Sequence, residues 1–132
     1  MPHAEATVSL TFSPSYAPPE AAQANERGDH TIVADAAADM WALGIMAVEL
    51  LTSRPVFPPL VATRESIWAQ LCGREALPWE DGAAGQREVL RQLRGLKRAV
   101  LQCLQRDPAQ RPTAVEVLTH WRNLFDSRTV AE

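Results

Sequence analysis

A few charged and hydroxyl-bearing residues sit where the surrounding sequence is apolar or proline-rich, and any chemistry would be sought there first. Glu20 follows two prolines in "SYAPPE". Pro19 fixes its own φ and holds the residue before it extended, so a helix can begin at Glu20. An acid in a first helical turn is favoured by the helix dipole alone. The other reading of Glu20 is as half of an ion pair, which needs a cation elsewhere in the chain. Asp39 heads the apolar run "DMWALGIMAVELL". It can cap a helix, or accept backbone amides if the helix is buried. Arg111 precedes Pro112 in "RDPAQRPTAVE". Ser13 and Tyr16 place hydroxyls just ahead of the paired prolines.

Other residue types offer less. Arginine outnumbers lysine twelve to one, leaving Lys97 as the sole lysine. Cys72 and Cys103 lack metal-ligand spacing and read as reduced, buried thiols of an intracellular protein. His3, His30 and His120 are too scattered for a metal site. A formal charge of −3 argues against a nucleic-acid surface. The N-terminus lacks the basic start and apolar run of a signal peptide, and the longest apolar stretch is short for a membrane span. The expectation from these features is an intracellular, cytoplasmic protein with neither nucleic acid nor membrane as partner.

The elements that must position these residues are helical. At 132 residues and 46% hydrophobic content, the chain is the size of one domain with a core. Residues 36–51 predict a helix that is apolar on nearly every side, so other elements must surround it. Prolines 55, 58 and 59 end it. A short helix is expected over 64–71, then a long one over 86–105 that Gly95 weakens. Thr113 and Glu116 have the spacing of a capping box opening a last helix. "TVSLTF" alternates like a short strand, and residues 25–36 read as a loop turning at Gly28. The fold expected is all-α, with helices around one buried post.

Three pieces in one order carry a resemblance: "SYAPPE", then Asp39-Met40-Trp41-Ala42-Leu43-Gly44, then "RDPAQRPTAVEVLTHW". Together they resemble the C-terminal lobe of the eukaryotic protein-kinase catalytic domain, from the end of the activation segment to the last helix. The family carries Ala-Pro-Glu, Asp-x-Trp-x-x-Gly and a late Arg-Pro pair in that sequence. The resemblance implies a buried ion pair between Glu20, behind Pro19, and Arg111. It implies that Asp39 accepts amides of the catalytic loop, that Trp41 packs beneath the activation segment, and that Gly44 permits close backbone approach. Ser13, with Tyr16, falls on the substrate side, where serine/threonine kinases usually have threonine three residues before the Tyr16 position. Ser13 reads equally well as a turn hydroxyl. Phe12 stands in place of the usual glycine, and Pro18 in place of the alanine of Ala-Pro-Glu.

Under that resemblance residues 1–12 are an extended remnant of the activation segment, 13–126 the kinase-like portion, and 127–132 a tail. Phosphoryl transfer needs a nucleotide cradle, a strand lysine and metal-binding acids. The chain has no Gly-x-Gly-x-x-Gly, His-Arg-Asp or Asp-Phe-Gly. Catalytic and cofactor residues are therefore expected to be absent, with ATP and Mg belonging to a full-length parent. The partners expected are a protein substrate or the missing N-terminal portion of the kinase. The alternatives are a non-catalytic helical binding module derived from a kinase, and an unrelated helical adaptor.

Overall fold

Residues 36–52 have too many large apolar side chains to leave any face fully in water, and they form a long helix at the centre of the core. The structure is a computed structural model that describes residues 6–9, 14–29, 31–59 and 62–131. In it Ala36–Thr52 is α2, the central post. Trp41 and Ile45 are fully buried along it, with Met40 and Val48 nearly so. Its N-cap is Asp35, whose carboxylate accepts the Ala38 amide at 2.9 Å. Ser53 ends it in the left-handed conformation at φ 58°.

Around α2 stand α1 (Pro19–Glu26), α3 (Arg64–Leu71), α4 (Gln86–Leu93), α5 (Lys97–Cys103) and α6 (Ala114–Ala131). Proline at the first position of α1 supplies helical φ where no amide bond is lost. Thr63 caps α3 through the Ser66 amide. Thr113 and Glu116 each accept the other's backbone amide, at 3.2 and 3.1 Å, opening α6. The main core joins Ala21 and Ala22 of α1 to Trp41 and Ile45 of α2, and to Trp68, Leu71, Leu77, Trp79, Leu93 and Val100. A smaller cluster of Met40, Cys103 and Val117 links α2, α5 and α6. No helix among the described residues is long and apolar enough to cross a membrane.

The fold is helical, with one addition. Ala6–Ser9 (β1) pairs antiparallel with Thr31–Ala34 (β2) in a two-stranded ribbon, Ala6 opposite Ala34. The strand seen in "TVSLTF" thus has a partner inside the stretch read as a loop, where Thr31, Ile32 and Val33 favour extended backbone. The helix expected over 86–105 is two helices. A tight turn at Arg94–Leu96 separates α4 from α5, because Arg94 adopts φ 52° and no helix continues through that geometry. The last helix runs to Ala131, past residue 126.

Gly44 marks the closest approach of α2 to α5. A Cβ built there would lie 2.8 Å from Leu104 Cγ and 3.0 Å from Cys103 Cβ. Gly44→Ala is therefore expected to lower the unfolding free energy by about 1–3 kcal/mol in urea titrations. Adding Leu104→Val should cost less than the two single changes together, because both act on one contact.

Candidate functional site

The local sequence around Arg111 explains why a charged side chain ends up inside. The loop after α5 turns through a 3-10 segment at Pro108–Gln110, capped by the Asp107 carboxylate on the Ala109 amide. Arg111 follows in extended conformation and points back toward the start of α2. Its side chain is 0% exposed, against 31% for Glu20.

All five N–H groups of the guanidinium are used. Nη2 and Nη1 donate to the two Glu20 oxygens at 2.7 and 2.8 Å, a bidentate pair. Nη1 also donates to the Ala37 carbonyl at 2.9 Å, Nε to that of Gln105 at 2.9 Å, and Nη2 to that of Arg106 at 3.3 Å. The carbon of the guanidinium lies 5.3 Å from the Trp41 ring centroid, within cation–π range. Trp79 is tilted against Trp41, the ring centroids 6.1 Å apart. Pro19, Glu20, Trp41 and Arg111 are thus brought into one cluster, and Gly44 sits one turn further along α2.

Asp39 is not in it. It is exposed in the first turn of α2, and among the described residues no side-chain or backbone donor reaches it. One reading of Asp39 is corrected. It is not the helix cap, because Asp35 takes that position four residues earlier. The amides that the resemblance assigns to Asp39 belong to a catalytic loop whose His-Arg-Asp motif this chain lacks. Ser13 lies outside the described residues.

Tyr16 is exposed, and its hydroxyl donates to Glu49 Oε1 at 2.7 Å. That hydrogen bond, with lesser contributions from burial and the Glu49 charge, raises the Tyr16 pKa above its ordinary value. Glu49 Oε2 accepts the Val56 amide at 3.0 Å, so one carboxylate ties Tyr16 to the loop after α2. In the sequence Glu49 stands only at the edge of the apolar run that Asp39 opens. Its signal was a lone carboxylate within a helix otherwise apolar on that side.

A second bidentate pair was also missed. Arg106 Nε and Nη2 donate to Glu80 at 2.9 and 2.7 Å, Nη1 donates to the Leu71 carbonyl at 2.9 Å, and Glu80 accepts the Leu77 amide at 2.8 Å. Nothing in "PWEDG" announces this, because the two residues lie in separate loops. Burial pushes the Glu80 carboxyl up, but the Arg106 hydrogen bonds and the Leu77 amide outweigh it and hold the pKa below its ordinary value.

With this geometry in hand, comparison with known proteins decides the family. Residues 1–121 match the protein kinase domain. The chain belongs to that family. Its kinase-domain sequence is 30% identical over 122 residues to "MAP kinase kinase kinase wis4" of Schizosaccharomyces pombe, covering 92% of this chain and 8% of that protein. It is 32% identical over 89 residues to "Germinal center kinase 3" of Caenorhabditis elegans, covering 65% of this chain and 14% of that one. The chain therefore spans a small part of the length of the relatives it matches.

The described part of this kinase-domain chain does not fit the nucleotide or metal that kinases use. No group of three or more His, Cys, Asp or Glu converges among the described residues. Lys97 is exposed at the start of α5, not on a strand.

Two expectations follow. Arg111→Met should cost about 3–5 kcal/mol in urea unfolding, because it strands a carboxylate and three carbonyls at once. Glu20→Gln, which leaves a partly solvated amide able to accept, should cost only about 1–2 kcal/mol. For Glu80 the depressed carboxyl pKa sets the sign. Its contribution is complete above the unfolded-state value and is lost as pH falls through the lower folded value. Glu80→Gln should flatten the acid limb of a stability-versus-pH curve while leaving the neutral limb parallel to that of the parent.

Proposed function

We propose that this chain is the substrate-side, C-terminal-lobe part of a serine/threonine protein kinase domain. In this reading it supports the end of the activation segment, while the nucleotide site is built from residues not found in this chain. The observation that carries the reading is the five-bonded Arg111, which locks the Pro18-Pro19-Glu20 segment to the head of α2 and to the late loop. Such a clamp does nothing chemical, yet it fixes where the preceding segment lies. Tyr16, held on Glu49, and Ser13 before it are the residues proposed to face a protein substrate.

A second feature supports the reading. Asp39, Leu43, Met46 and Leu50 are spaced to share one face of α2. Met46 is 48% and Leu50 81% exposed. Leu43 packs with Trp121 on the smaller cluster, and the Trp121 indole N–H is buried without an acceptor among the described residues. An apolar stripe of this kind on the central helix suits cover by the remainder of a kinase domain. ATP and Mg belong to that remainder, and no step is assigned to residues of this chain.

The test is a chimaera in which residues 1–121 replace the matching segment of the fission-yeast relative. It is expected to phosphorylate serine and threonine peptides over tyrosine peptides, and to lose that activity with Arg111→Met. The isolated chain should show no saturable thermal shift with ATP and Mg. A chimaera that melts like its parent yet transfers no phosphate would overturn the reading, as would a clear shift by the isolated chain.

A further inference from the structure

The turn between α4 and α5 is not one its residues would choose for stability. Arg94 sits at φ 52°, ψ −133°, close to the first central residue of a II′ turn, a position glycine takes without penalty. Gly95 beside it needs no left-handed freedom. A non-glycine residue held in such a conformation is strained, and strain of this kind gathers where a side chain must be aimed. Here it aims Arg94 at the mouth of a groove of about 450 Å³ between the end of α2 and α4, lined by Leu50, Thr52, Ser53, Arg91, Gln92 and Arg94.

Both charged residues of the groove lining, Arg91 and Arg94, are basic, and they belong to a basic stretch of sequence. Residues 86–98 hold Arg87, Arg91, Arg94, Lys97 and Arg98 against the single acid Glu88, while the remaining eight basic residues are outnumbered by fifteen acids elsewhere. Arg91 pairs with Glu88, but both side chains are exposed, at 72% and 48%. A competing acid displaces such a pair at little cost. Arg54 makes one long bond, at 3.3 Å, to Gln92. Arg94 has no partner among the described residues. Leu50, the most exposed large apolar side chain of α2, lies in the same lining.

We propose that this groove docks a short acidic peptide segment of a partner protein, its carboxylates on Arg91 and Arg94 and an apolar side chain on Leu50. A concave site of this size takes a few residues of extended chain. A membrane or a nucleic acid would also meet the acidic remainder of the surface, and no exposed aromatic ring lines the groove to stack on bases. The inference stands on charge, strain and shape, and does not rest on the kinase reading.

The full chain is titrated, by fluorescence anisotropy, against a fluorescein-labelled peptide with glutamates on both sides of a central leucine. Saturable binding that weakens with salt, and weakens further when the leucine becomes serine, is expected. Arg91→Gln and Arg94→Gly should each reduce affinity about tenfold, as loss of a charge-assisted hydrogen bond does. Arg94→Gly should also keep or raise the melting temperature, since it relieves the turn, so lost binding cannot be lost folding. The proposal is overturned if affinity changes by less than about twofold in both variants, or if Arg94→Gly lowers the melting temperature. It is equally overturned if phosphatidylserine vesicles or a single-stranded oligonucleotide bind as tightly as the peptide.

Discussion

The structure depends on one buried guanidinium. Arg111 reaches Glu20 across 91 residues of sequence and, in the same plane, the carbonyls of Ala37, Gln105 and Arg106. Four places in the chain are therefore fixed relative to one another by a single rigid group. A lysine at this position could not do the same. An ammonium has three donors on a flexible stem and stays strongly hydrated, whereas the planar fork matches a carboxylate and sits over the Trp41 ring. Burial raises the stakes, because a desolvated cation is tolerable only when every donor is used. Here every donor is.

The clamp acts at one end of α2, and Glu49 acts at the other. Between Ala37 and Glu49 the helix advances about 18 Å at 1.5 Å per residue. The short stretch from Tyr16 to Glu20 is pinned near both ends of that length, by the Tyr16–Glu49 bond and by the Glu20–Arg111 pair. Four residue steps reach at most about 14 Å, so the long side chains of Tyr16, Glu20 and Arg111 supply the rest, and Pro18 holds the link between the turn at Pro14–Tyr16 and α1 extended. Ala17, Pro18 and Pro19 are all buried along the way. The two prolines at the start of the chain and the carboxylate at the end of α2 are thus parts of one device. It lays a segment along a helix.

What the sequence made legible follows from how local the cause was. Helix α2 declared itself because its apolar residues leave no polar face, and α1 and α6 because a proline and a threonine sit at their starts. The order of three motifs named Glu20 and Arg111 as a possible pair, although no rule of spacing could bring together two residues so far apart. Interactions of purely tertiary origin stayed hidden. Glu80 and Arg106 lie in separate loops, and β2 became a strand because β1 was there to pair with it. The break at Arg94 contradicts helical periodicity that runs cleanly through Val89, Leu93, Leu96 and Val100. Hydrophobic spacing reports which residues are buried, and both halves of a kinked pair can bury the same residues without being collinear. A helix apolar in composition was also assumed to be covered on all sides, whereas Asp39, Met46 and Leu50 of α2 are exposed.

That assumption bears on what the surface of the domain asks of its surroundings. The face of α2 carrying Met46 and Leu50 is apolar and regular, so covering it releases water and is worth about 1.5–3 kcal/mol for each large side chain buried. Such an attraction is indifferent to salt and needs a partner of matching shape. The turn at Arg94 is the opposite kind of surface. It is charged, backbone-strained and concave, and its attraction for an anion fades within a Debye length of about 8–10 Å. Leu50 lies where the two meet, at the end of one stripe and in the wall of the other groove. A neighbour that covered the whole α2 stripe would therefore bury one wall of the basic groove and deepen it. Any acidic segment held there would then be read against the covering element as well as against Arg91 and Arg94. The two surfaces are physically distinct, yet through Leu50 occupancy of one alters the shape offered by the other.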